Sequence, residues 1–77
     1  MAVRAYVLMN LMTNNLAETL EGIRNTEGVK FADAITGPYD GIAMIEAEDI
    51  DKLGQIVTGK LLKVQGVAKT LTCVSVR

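Results

Sequence analysis

Histidine and tryptophan are absent from these 77 residues, and there is one cysteine and one proline. Without histidine the commonest general base and metal ligand is missing, and a lone thiol, Cys73, allows neither an internal disulfide nor a zinc cluster. No metal and no cofactor is expected. No apolar run approaches the roughly eighteen residues that cross a bilayer. The start of the chain has Arg4 and an alternating pattern where a secretion signal has a continuous apolar block. A cytoplasmic protein without membrane contact is expected. Neither sign of charge is in excess, since eight Lys/Arg stand against nine Asp/Glu for a net charge of -1. Lacking a basic cluster, the chain is not expected to bind nucleic acid directly.

What is abundant is apolar surface. Hydrophobic residues make up 49% of the chain and mean hydropathy is +0.26, values of a globular protein rather than a disordered one. The length suits one domain, residues 1–77, and a domain this short hides only about 60% of the surface its unfolded chain exposes. The apolar excess therefore calls for a partner.

Val3 to Met12, VRAYVLMNLM, is rich in β-branched and aromatic residues and places Val3, Ala5, Val7, Met9 and Leu11 on one side, which predicts a strand. Asn15 and Glu18 have capping-box spacing, so a helix is expected to start there, with Leu16, Leu20 and Ile23 on its apolar face and an end at Gly28. Val29 to Thr36 reads as a second strand, GPYDG as a turn, and Ile42 to Ala47 as a third strand. Ile50, Leu53, Val57, Leu61 and Val64 keep the threes and fours of a second helix, which Gly66 ends, and Ala68 to Arg77 reads as a fourth strand. Gly28-Val29 and Gly66-Val67 each close a helix and open a strand, a faint internal echo. The expected fold is α+β, a ferredoxin-like β-α-β-β-α-β with a four-stranded antiparallel sheet and both helices on one face.

Both faces of that sheet are apolar. Two helices cover one, and Tyr6, Leu8, Ile42 and Met44 are left on the other as a contiguous patch of the kind that marks an interface. A homodimer through this face is expected, although Arg4, Asn10, Asp40 and Glu46 also wet it. Cys73 reads as buried packing, and Met1, Met9, Met12 and Met44 as core or interface filler.

The turn Thr36-Gly37-Pro38-Tyr39-Asp40-Gly41 has the residues any tight turn needs, but Tyr39 exceeds that requirement. A carboxylate beside exposed N–H groups suits a zwitterion, with Asp40 taking an ammonium and neutral donors taking a carboxylate. Thr70 and Thr72, two apart on the last strand, offer such hydroxyls, though threonine is also an ordinary strand residue. No catalytic constellation is present, and an enzyme is not expected.

The hairpin TGPYD, the following GIAMIEAED and the ending QGVAKTLTCVSV together resemble the effector-binding domain of the Lrp/AsnC transcription regulators, the regulation-of-amino-acid-metabolism (RAM) domain, over essentially the whole chain. The regulators' helix-turn-helix has no counterpart before the first strand, so a stand-alone form is expected. The resemblance implies a dimer of the dimeric α+β barrel type, assembled further into an octamer or another ring of dimers. It also implies an amino acid effector held where dimers meet, contacting Gly37, Tyr39, Asp40, Thr70 and Thr72. Association with a full-length DNA-binding Lrp/AsnC regulator would link such a domain to transcription. Two positions depart from the pattern: Pro38 stands where an acidic or polar residue is common and removes one backbone donor, and Gly41 replaces an aliphatic residue and is expected to loosen the packing. The alternatives are a pure oligomerisation module and, more remotely, a cofactor-free ferredoxin-like enzyme. The ACT domain shares the strand order, but its ligand glycine is expected after strand one, where this chain has Met12-Thr13-Asn14-Asn15.

Overall fold

The computed structural model describes residues 2–76. Its elements run β1 (Val3–Leu11), α1 (Leu16–Arg24), β2 (Val29–Ala34), β3 (Gly41–Ala47), α2 (Ile50–Gly59), a 3₁₀ turn (Leu61–Lys63) and β4 (Val67–Val74). The sheet is antiparallel with strand order β2-β3-β1-β4. This is the expected ferredoxin-like α+β arrangement.

Alternation along the strands decides the two faces. Ala5, Val7 and Met9 of β1, Ala32 of β2 and Ala43 and Ile45 of β3 are buried together with Ile23 of α1, Leu53, Ile56 and Val57 of α2, and Leu61. Alanines at three of the six strand positions let the helices approach closely, while Val7, Met9 and Ile45 fill the space between. Leu16, expected on the core face of α1, is instead 45% exposed.

Asn15 caps α1 as expected, its side chain accepting from the Glu18 N–H at 3.2 Å. The reciprocal half differs: the Glu18 carboxylate accepts from the Asn15 side-chain amide, and the Asn15 backbone N–H donates to the Thr13 hydroxyl. The second helix is shorter than its apolar spacing predicts. It ends at Gly59, Lys60 leaves helical geometry with φ -126°, and Leu61 reaches the core from the separate 3₁₀ turn. Lys60 Nζ instead donates to the Glu27 carboxylate at 2.6 Å, and this hydrogen bond, with the lysine's charge, holds Glu27 below the usual glutamate range.

The two echoed glycines are conformational necessities. Gly28 has φ +91° and Gly66 φ +101°. A Cβ would approach Ile56 Cδ1 to 2.8 Å at Gly28 and Thr19 Oγ1 to 2.5 Å at Gly66. Both positions join a helical segment to a strand across a crowded corner, which only glycine fits. Gly41 is buried against the side chains of Leu11 and Met9. The loosened packing expected there does not occur, because these two side chains occupy the space that a larger residue would take.

Candidate functional site

The turn between β2 and β3 is closed by the Ile35 N–H, which donates to the Asp40 carbonyl at 2.9 Å, and by the Asp40 N–H, which donates to the Met9 carbonyl at 2.8 Å. Beyond the last β1–β3 pair, Met9↔Gly41, β1 continues without a β3 partner. There the Leu11 N–H donates to Asp40 Oδ2 at 2.9 Å, so the carboxylate takes the place of a strand carbonyl. Among the described residues nothing donates to the second Asp40 oxygen, and the amides of Thr36, Gly37 and Tyr39 have no protein acceptor. Gly37 has φ +140°, and Tyr39 is half-buried.

Asp40 lines an open cleft of about 550 Å³ where the ends of β1 and β2 meet the first turn of α1. The other lining residues are Leu11, Thr13, Leu16, Ala34, Ile35 and Thr36. Gly37, Tyr39, Thr70 and Thr72 do not line it. Thr70 and Thr72 pair with Met9 and Val7 and therefore point to the helix side of β4. Because β1 lies between β4 and β3, Thr70 and Gly41 flank Met9 two strand spacings apart, on the order of 10 Å. One chain thus brings Asp40 to the turn amides but not to the threonine hydroxyls.

On the opposite side of the sheet, Tyr6, Leu8, Ile42 and Met44 form a block of cross-strand neighbours, Tyr6↔Met44 and Leu8↔Ile42. The ladders extend it into two rows across the sheet: Phe31, Met44, Tyr6 and Cys73, then Asp33, Ile42, Leu8 and Leu71. Phe31 and Leu71 are 43% and 45% exposed and continue the apolar surface. They were not anticipated, though the alternations Phe31-Ala32-Asp33 and Thr70-Leu71-Thr72 carry the signal. Cys73 is exposed rather than buried, because its register places it opposite Tyr6 on this uncovered face. The Arg4–Glu46 ion pair borders the rows at one end, and Asn10 paired with Lys69 borders them at the other. Among the described residues no group of three or more Cys, Asp or Glu gathers as metal ligands, and no helix is long and apolar enough to cross a membrane.

A family model, the Lrp/AsnC ligand binding domain, matches residues 4–77. The chain belongs to this family. Among solved structures it is similar to TTHA0845 from Thermus thermophilus, at 31% identity and a TM-score of 0.88, over 97% of this chain and 94% of that one. It is also similar to the hypothetical protein PHS023 from Pyrococcus horikoshii, at 28% identity and a TM-score of 0.86, over 97% and 90% of the two chains. The transcriptional regulator NMB0573 from Neisseria meningitidis, solved as a complex with L-Met, shares the fold at 18% identity and a TM-score of 0.86. The alignment covers 97% of this chain but 50% of the regulator's. None of the curated proteins matches the sequence. Membership makes the chain a regulatory ligand-binding domain of the Lrp/AsnC type.

Proposed function

We propose that this Lrp/AsnC domain binds a free amino acid at the Thr36–Gly41 turn and works as a homodimer closed by the helix-free sheet face, with dimers assembling further around the ligand. The observation that carries the reading is the pairing at the turn of a carboxylate oxygen of Asp40 that accepts no protein hydrogen bond with unbonded backbone amides. Those are the two kinds of group a zwitterion requires. A neighbouring copy would supply the hydroxyls of Thr70 or Thr72 and the ring of Tyr39 to complete the site. The L-Met complex of the Neisseria regulator adds support from a protein of the same fold. Any effect on transcription would pass through a DNA-binding regulator of the same family.

Calorimetry tests the ligand part. Asp40→Asn keeps an acceptor for the Leu11 amide while removing the charge, so fold and ligand charge recognition separate. Binding of the preferred amino acid is expected to weaken about tenfold or more, the scale of one charge-assisted hydrogen bond. If no amino acid binds at millimolar concentration, the second reading, a pure oligomerisation module, takes its place. That reading is favoured by the structural bond Asp40 already makes to Leu11.

A further inference from the structure

We propose that the amino acid taken by this domain has an uncharged aliphatic or thioether side chain, seated in the cleft between Leu11, Leu16, Ala34 and Ile35. The inference rests on the effector reading above and adds the class of ligand. The cleft, about 550 Å³, falls within the range of small-molecule sites, and Asp40 is one of its lining residues. Four of its seven lining residues are aliphatic, and none carries a positive charge.

The polar groups fit only the two ends that every amino acid shares. Asp40 Oδ2 is engaged by Leu11, which leaves Oδ1 for the ammonium. The Thr13 hydroxyl already accepts from the Asn15 N–H and from Thr19 Oγ1, both at 3.0 Å, so its remaining capacity is to donate. With the hydroxyl and the free backbone amide of Thr36, which also lines the cleft, it suits a carboxylate. Among the groups this chain lends to the cleft, a lysine or arginine side chain finds no second anion, a glutamate side chain no cation, and a side-chain amide too few acceptors for its N–H groups. The groups assigned to the neighbouring copy, Thr70, Thr72 and Tyr39, add no charge, so each would lie unpaired against aliphatic walls. Leu16 points the same way. It sits in the first turn of a well-capped helix yet is 45% exposed and lines the cleft instead of the core.

Calorimetry of the whole chain against L-leucine, L-methionine, L-alanine, L-asparagine, L-lysine and L-glutamate tests the assignment, with Leu16→Asp as the variant. Leucine and methionine are expected to bind about tenfold or more tighter than the other four, the lower end of what hydrophobic pocket contacts discriminate. Leu16→Asp, at an exposed position and with folding checked by circular dichroism, is expected to cost a similar factor for leucine and to erase the preference over lysine. Lysine, glutamate or asparagine binding the wild type as tightly as leucine, in an Asp40-dependent way, would overturn the side-chain class and leave the effector reading standing. An unchanged leucine affinity in Leu16→Asp would likewise overturn the cleft as the side-chain seat. Failure of leucine and methionine to bind would overturn this inference, whereas the effector reading falls only if the remaining amino acids fail as well.

Discussion

Gly66 and Thr19 meet at a corner with no spare volume: a Cβ on Gly66 would lie 2.5 Å from Thr19 Oγ1 and 2.9 Å from Thr19 Cγ2, on a backbone at φ +101°. Thr19 is buried and its hydroxyl donates to Thr13, so it cannot simply swing away. Gly66→Ala is therefore expected to cost roughly 2–3 kcal/mol, strain and overlap together, read as a lower melting temperature by circular dichroism. An unchanged melting temperature would mean that the corner relaxes freely. Residue identities alone pointed to both glycines as helix ends, but α1 stops at Arg24 with Asn25 as its cap and the 3₁₀ turn stops at Lys63, so what the glycines supply is the positive-φ corner that leads into β2 and β4. Identities could not reveal that Asp40 replaces a strand carbonyl for Leu11. That bond exists because β3 has turned away before β1 ends, a relation between segments 29 positions apart in the chain.

Periodicity located all six regular elements at the scale of single segments, and it failed where the backbone departed from the pattern. The stripe Leu53, Val57, Leu61 and Val64 runs on through the end of α2, because Leu61 is buried whether it arrives by α-helix or by a 3₁₀ turn. Gly59 and the extended φ of Lys60 break the helix without interrupting the apolar spacing. Inside α2, Gly54 weakens the helix for no packing reason: a Cβ there would meet nothing within 4 Å. Gly54→Ala is accordingly expected to stabilise the domain by about 0.5–1 kcal/mol and to raise the melting temperature by roughly 4 °C, the scale for a domain of this size. A drop in melting temperature would point to a neighbour that packs on this glycine in the assembled protein.

For the whole molecule, the consequence of covering one sheet face is that the other presents two cross-strand rows with Phe31, Tyr6 and Leu71 exposed. Leu8 is central to them, flanked by Ile42 and Leu71. Leu8→Glu changes nothing on the helix side, yet in a two-fold interface it brings a pair of carboxylates into an apolar centre. Light scattering on a size-exclusion column is expected to give a dimer or a larger ring for the wild type and a monomer for Leu8→Glu. A monomeric wild type at roughly tens of micromolar, the scale of ordinary assays, would defeat the sheet-face dimer. The pattern of Tyr6, Leu8, Ile42 and Met44 was legible because β1 and β3 alternate cleanly. For Phe31, Leu71 and Cys73 alternation shows only that they share a side of their own strand, and strand order and register decide which face of the sheet that side becomes.

Strand order also dictates a timetable. β1 is flanked by β3 and β4, and both are synthesised long after it. At roughly 5–20 residues per second, the ribosome needs about 2–6 s to go from the end of β1 to the start of β3, and during that interval VRAYVLMNL has no ladder to join. Pairings this distant also form slowly once the chain is complete. The nascent chain therefore carries its longest strand uncovered for seconds, a template for pairing with neighbouring chains. Its safe production depends on how quickly β3 arrives to cover one edge.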